Sequence, residues 1–246
     1  RATKKVKRGL GTIREDLNIS IAEGARVEVK GVQDLRLIEE CVRTEVERQL
    51  HLLNIKRKLV ERGARVSSQI VDVTEFFADT QSKVIRNALK NGGKVLATKL
   101  EGFGGLLGGG KHRLGAELAQ YARSMGVGGL FHSDELPRYG ITQKEVENVA
   151  SILSCGTEDA FIIIAGRKSR SFLAMQKAIE RAEYAIRGVP EETRDAKEDG
   201  TTVYSRPLPG RARMYPETDV PPIRVTAEMI RKARESIPEL PEERKK

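Results

Sequence analysis

Two runs near the start of the chain, TIREDLNISI (12–21) and ARVEVKGV (25–32), alternate apolar and polar positions, with Ala22, Glu23 and Gly24 between them. A period of two belongs to a strand with one buried face, so the pattern predicts a β-hairpin. With Ile19, Ile21, Val27 and Val29 turned toward a core, Asp16, Asn18, Glu28 and Lys30 project from the opposite face. Asp34 then suits the N-cap of a long helix in which Leu35, Ile38, Val42, Val46, Leu50 and Leu53 recur every three or four residues up to Gly63. Glu39, Arg43 and Glu47 fall on another side of it, a solvated one.

Beyond Gly63 strands and amphipathic helices alternate. VSSQIVDVTEFF reads as extended, TQSKVIRNALKNGG as a short helix closed by glycine, KVLATKLEGF as a strand and GGLLGGGKHR as a loop. LGAELAQYARSMG follows as a helix, GVGGLFHSDEL as a strand with a loop, ITQKEVENVASILS as a helix, DAFIIIAGR as a buried strand and SRSFLAMQKAIERAEYAIRG as a helix. This texture predicts an α/β or α+β module with four or so strands. VPEETRDAKEDG (189–200) is polar, TTVYSRPL returns to strand, and Thr226 can cap a last helix, TAEMIRKARESI, that ends near Pro238.

Composition narrows the class. At 246 residues, 39% apolar and 32% charged, the chain has enough material for a folded core and suits two domains better than one. Its 44 Lys and Arg against 35 Asp and Glu leave +9, spread along the chain, which favours a polyanionic partner such as nucleic acid. Cys41 and Cys155 stand far apart inside apolar patterns, as reduced thiols of a cytoplasmic protein do. His51, His112 and His132 lack metal-ligand spacing, and no apolar run is long enough to span a membrane. The chain begins with Arg1 and stops in PEERKK, which suggests a fragment of something longer.

Three stretches carry candidate chemistry. Gly105 to Lys111 has the glycine and lysine spacing of a phosphate-binding loop, but His112 stands where such a loop needs a hydroxyl; a glycine turn whose Lys111 and Arg113 touch a phosphate backbone fits better. GRKSRS (166–171) places Arg167, Lys168 and Arg170 at a helix start, either as a phosphate site or as a basic helix start with a serine cap. RARMYPETDVPPIRV (211–225) holds Glu217 and Asp219 between Pro216 and Pro221-Pro222, with Arg213 close by. Stiff backbone bearing carboxylates suits Mg²⁺, which takes oxygen ligands from one or two acids and from substrate phosphates, and Arg14 or Arg213 could answer charge developing in phosphoryl transfer. Capped turns and acid–arginine pairs are the structural alternative.

RGLGTIREDLNISI, GARVEVKGVQDLRLIEECVRTEVERQ and the distant SRPLPGRARMYPETDVPPI together resemble the second half of the catalytic core of the GatB/GatE amidotransferase family, whose bacterial members carry R-x-D-x-N-x-S, then E-[IV]-K, then R-x-x-P-E-P-D-x-P-P. Thr218 replaces the second of those prolines, and residues 64–200 stand where bacterial members have a short link. KVLATKLEGFGGLLGGGKHRLGAELAQYARSMGVGGL and DAFIIIAGRKSRSFLAMQKAIERA are similar to the GAD domain that archaeal members share with bacterial-type aspartyl-tRNA synthetases.

The resemblance implies an α+β fold: a mixed α/β catalytic cradle (1–66 and 201–226) interrupted by an inserted α/β GAD-type domain (67–200), with 227–246 beginning a helical domain. It implies ATP- and Mg²⁺-dependent amidation of Glu-tRNA(Gln) to Gln-tRNA(Gln), with ammonia from an asparaginase-like partner, the D subunit, and a homodimer of this subunit as one arrangement. Arg14, Asp16, Asn18, Glu28, Lys30, Arg213, Glu217 and Asp219 would line the site, with Asp16 and Glu217 toward metal; Lys111, Arg113, Arg167, Lys168 and Arg170 would touch tRNA. The family's N-terminal and C-terminal segments are absent from this sequence, so the chain alone is expected not to turn over. A tRNA-binding or subunit-docking module with structural acids is the alternative.

Overall fold

The computed structural model of the protein describes residues 15–208, 221 and 223–236. The expected hairpin forms β1 (Glu15–Ile19) and β2 (Val27–Val32), antiparallel, with Ile19 opposite Val27 and Asn18 opposite Glu28. Ile19, Val27, Val29 and Val32 are buried and pack with Cys41 of the following helix, while Ile21 is only half-buried. Glycine suits the turn because a Cβ on Gly24 would collide with the side chain of Gln49, itself fully buried.

Helix α1 (Leu37–Glu61) departs from its expected face. Of the expected stripe Leu53 is buried and Ile38 and Val46 are half-buried, but Leu35, Val42 and Leu50 are exposed by 46%, 38% and 52%. The inner face also carries Cys41, Thr44, Glu45, Arg48, Gln49, Leu52, Ile55 and Leu59. The apolar stripe is only a partial guide because this helix also buries charged groups, which pair with one another inside the fold. Nor does Asp34 cap the helix. It accepts a hydrogen bond from the Arg36 backbone N–H at 3.0 Å and pairs with the Arg36 guanidinium just ahead of the helix, which starts at Leu37 without a side-chain cap.

After α1 come β3 (Arg65–Val66), β4 (Val71–Asp72), α2 (Lys83–Lys90), β5 (Lys94–Glu101), α3 (Leu114–Arg123), β6 (Phe131–His132), α4 (Gln143–Ile152), β7 (Ala160–Gly166) and α5 (Lys168–Arg187). Thr74–Phe77, expected as extended, makes a 3₁₀ turn in which Asp72 accepts from the Thr74 N–H at 3.0 Å. The five strands build one antiparallel sheet in the order β3-β5-β7-β6, with β4 pairing beside β3 along β5. Its central strands are buried on both faces. Leu96, Leu100, Ile162 and Ile164 pack under α1, α3 and α5, while Val95, Ala97, Phe161 and Ile163 pack with Ile85 of α2 and Val149 of α4.

The polar stretch 189–200 contains a strand, β8 (Glu192–Ala196), which leaves the second sheet and joins the first. It pairs in parallel with β2 and antiparallel with β9 (Thr202–Pro207), giving the order β1-β2-β8-β9. The expected edge of the insertion at residue 200 therefore falls between two paired strands, and on sheet membership the return to the first sheet begins at Glu192. Thr226 caps α6 (Ala227–Glu235) by accepting from the Met229 N–H at 3.2 Å, as expected. Two sheets with helices between and around them make an α+β fold, in agreement with the class read from the sequence.

Truncating Ile162, fully buried between two layers, to alanine is expected to cost about 2–5 kcal/mol. Val42→Ala, on the exposed side of α1, is expected to stay within about 0.5 kcal/mol of the parent. Urea unfolding midpoints check both, and equal losses would contradict the observed helix face.

Candidate functional site

On the open face of the first sheet, the hairpin brings Asp16, Asn18, Glu28 and Lys30 together as expected from their alternation. Lys30 Nζ lies 3.7 Å from Asp16 and 3.6 Å from Glu28, so one cation stands between two carboxylates. Strand β8 adds a group that the sequence did not single out: Thr193, opposite Glu28, donates its hydroxyl hydrogen bond to Glu28 Oε2 at 3.0 Å. Asp16 and Asn18 are exposed, and Glu28 and Lys30 are half-buried. Arg14, Arg213, Glu217 and Asp219 lie outside the described residues, so their meeting with the hairpin face is not part of this geometry. Among the described residues no group of three or more His, Cys, Asp or Glu could hold a metal ion.

The opposite face of the same sheet meets a buried ionic cluster. Glu117 of α3 is approached by Arg48 of α1 at 3.0 Å, Arg181 of α5 at 3.1 Å and Arg194 of β8 at 3.3 Å. Arg48 also pairs with Glu45 at 2.8 Å and Arg194 with Glu192, and Tyr121 donates to Glu192 at 2.5 Å. Each of these six charged residues is at least nine-tenths buried. Burial alone would raise the Glu117 carboxyl, but Arg194, Arg48 and Arg181 more than offset it and hold it well below the usual carboxylate range. Burial, reinforced by Glu192, pushes the Tyr121 hydroxyl far up, so it stays protonated and donates.

Periodicity misses this cluster because it treats charge as surface. A signal was nevertheless present: Glu117 sits in LGAELAQYA and Arg181 in AIERAEYA, each a charge among alanine and leucine or isoleucine on the helix face that packs inward.

The glycine loop resolves differently from a nucleotide cradle. Asp134 accepts from the backbone N–H groups of Gly105 at 3.0 Å and Leu107 at 2.8 Å, so the loop already holds an anion of its own chain. Lys111 and Arg113 are exposed beyond it, Arg113 standing at the start of α3. Arg167, Lys168 and Arg170 are exposed at the start of α5, whose N-terminus has no side-chain cap, so the serine cap of the structural alternative is not formed. The two basic loops belong to the helices that carry Glu117 and Arg181.

The α+β frame agrees with the family found by comparison. The GatB/GatE catalytic domain model matches residues 1–231, and the chain belongs to that family. Among its relatives, the E subunit of glutamyl-tRNA(Gln) amidotransferase from Methanocaldococcus jannaschii is 57% identical over 99% of this chain and 40% of the relative. The corresponding E subunit from Methanococcus vannielii is 53% identical over 99% of this chain and 39% of its own length, and that from Pyrococcus horikoshii 55% identical over 98% and 39%. The chain thus spans about two fifths of the length of the relatives it matches.

Replacing Glu117 with Gln leaves three buried guanidinium groups facing a neutral amide, and is expected to cost about 3–5 kcal/mol by chemical unfolding. Because the folded carboxyl lies below its unfolded value, the stability it contributes is complete above about pH 4.5 and is lost as pH falls through the folded value. The variant's stability should therefore fall less steeply with acid than the parent's.

Proposed function

We propose that the chain is part of the catalytic core of a glutamyl-tRNA(Gln) amidotransferase, which converts Glu-tRNA(Gln) to Gln-tRNA(Gln). The observation that carries the reading is the hairpin face, where Asp16 and Glu28 flank Lys30, in a chain whose relatives are named for this amidotransferase. In the proposed reaction a phosphoryl group passes to the glutamate side-chain carboxylate and ammonia displaces it, the ammonia coming from an asparaginase-like partner subunit. ATP with Mg²⁺ supplies the phosphoryl group. The donor chemistry fits: Asp16 and Glu28 offer hard oxygen ligands, and Mg²⁺ needs only one or two carboxylates when substrate phosphates supply others.

The residues then have distinct work. The Thr193 hydroxyl holds Glu28 by one oxygen and so fixes the carboxylate's direction. Lys30, a cation between two acids, can answer negative charge developing on the transferred group, which lowers the barrier most where water is excluded. Glu217 and Asp219, on their proline-stiffened stretch, would complete the wall together with Arg14 and Arg213.

The proposed GAD-type insertion, bounded at 67–200 by the sequence and ending before Glu192 on sheet membership, would place Lys111, Arg113, Arg167, Lys168 and Arg170 toward tRNA, in a protein working in the cytoplasm. No helix among the described residues is long and apolar enough to cross a membrane. The two ion pairs of Lys30 favour one second reading: a tRNA-binding or docking module whose acids are structural.

In a full-length protein with its ammonia-supplying partner, Glu28→Gln and Lys30→Met are each expected to lower Gln-tRNA formation by about 100-fold or more while leaving tRNA affinity intact. Parent-like rates in both would favour the second reading. The paired changes Lys111→Ala with Arg113→Ala, and Lys168→Ala with Arg170→Ala, should weaken tRNA binding. Each lost phosphate contact should flatten the log-log salt dependence by about 0.7–0.9.

A further inference from the structure

Between α3, β6 and the turn before α4 lies a cavity of about 460 Å³ that the proposed amidation does not use. Its size falls within the range of small-molecule pockets, about 300–1,000 Å³. Phe131 and Tyr139 both line it, their ring centroids 5.7 Å apart, and Tyr139 is 53% exposed. The Arg138 guanidinium lies 5.9 Å from the Tyr139 ring centre, and the Tyr139 hydroxyl donates to Glu135 at 3.2 Å, which tethers the ring at the mouth. Exposed flat rings of this kind serve as stacking surfaces for unpaired bases, with guanidinium groups adding to the attraction.

Two glycines in the lining leave room for close approach of a backbone. Gly128 and Gly129 present no side chain, and a Cβ on Gly128 would meet nothing within 4 Å. Arg123 is fixed beside them by donating to the Gly128 carbonyl at 3.2 Å, one of five N–H groups it carries. Arg113 and Lys197, both exposed, complete the rim. His132, 5% exposed, also lines the cavity, and its Nδ1 is buried without a hydrogen-bond partner.

A second cavity of about 190 Å³ shares Arg113, Ala116, Gln120 and Lys197 with the first. Its other lining includes Arg48, Lys111, His112 and Arg194. Glu117 also lines it and neutralises Arg48 and Arg194, so the free cations there are Lys111, Arg113 and Lys197, and an aromatic, glycine-lined pocket thus shares a cationic rim with a second recess. A nucleoside with its phosphates has that order of properties, base then anion. The cations continue from Arg123 through Arg113 and Lys197 to Lys111, which suits a chain of phosphates better than one free nucleotide.

The geometry points to a docking groove for a single unstacked nucleotide of RNA, its base against Tyr139 and Phe131 and its phosphates on Arg113, Arg123 and Lys197. The assignment rests on the tRNA contact proposed above and gives it a specific place, one that shares Arg113 with the glycine loop and lies apart from the start of α5.

Fluorescence-monitored binding of a tRNA transcript to the 246-residue chain tests it. Tyr139 has φ +58°, a region that asparagine tolerates, so Tyr139→Asn removes the ring without stressing the turn. It should bind tRNA at least about fivefold more weakly, the low end of one lost base–aromatic stack, while Tyr139→Phe binds like the parent. Arg123→Ala and Lys197→Ala should each flatten the salt dependence by about 0.7. Parent-like binding by Tyr139→Asn, or equal weakening by Tyr139→Phe, overturns the groove while leaving tRNA binding itself standing. Absence of tRNA binding by the parent chain rejects the RNA contact altogether. If AMP binding depends on Tyr139 and tRNA binding does not, the pocket takes a free nucleotide and the assignment is also overturned.

Discussion

Glu117 is the point on which the arrangement turns. Its carboxylate receives guanidinium groups from α1, α5 and β8, so a helix that leaves the hairpin, a helix that covers the second sheet and a strand of the first sheet all end on one anion. A buried guanidinium without a partner is so unfavourable that these elements can dock in few ways other than the one that brings all three to Glu117. Such a cluster is weak evidence of net stability, since apolar residues of similar volume often do as well. What it supplies is selection among dockings: apolar surfaces tolerate sliding, and a shared hydrogen-bonded anion does not. The orientation of the first sheet, and with it the outward face bearing Asp16, Glu28 and Lys30, follows from that constraint.

The same cluster sharpens what the net charge means. Glu45, Glu117 and Glu192 balance Arg48, Arg181 and Arg194 inside the protein, so the excess of +9 falls wholly on the remaining residues. The glycine loop follows a similar economy: Asp134 satisfies the amides of Gly105 and Leu107, which leaves Lys111 and Arg113 outside it available to an external anion. Neutral interior and basic rim are separate devices, and only the second attracts a polyanion over distance.

Much of the fold was legible because most strands and helices obey their periods. The hairpin, α2, α3, α4, α5 and the buried strand β7 all stand where alternation or helical spacing puts them. The two largest exceptions, the buried face of α1 and strand β8, share one cause. On α1 the buried face includes Thr44, Glu45, Arg48 and Gln49, and β8 reads ETRDA, so both hide behind charge that is paired only by partners distant in sequence. Hydropathy along one chain cannot register a partner 69 residues away, as for Arg48 and Glu117. The hairpin half of the candidate site was legible from alternation because its four polar residues share one strand pair, whereas Thr193 could not be placed there before β8 was known to pair with β2.

Strand β8 links the surfaces that matter. Its Glu192 and Arg194 point into the ionic cluster, Thr193 between them reaches Glu28 on the open face, and Lys197 follows directly after its end at the rim of the aromatic cavity. From Thr193 to Lys197 is four residues, about 13 Å of extended chain. Because the inward residues are fixed by buried charge, the outward ones are fixed with them, by the simple alternation of a strand. The acidic face and the rim of the aromatic cavity are thereby tied to one another through one short element, without a hinge between them.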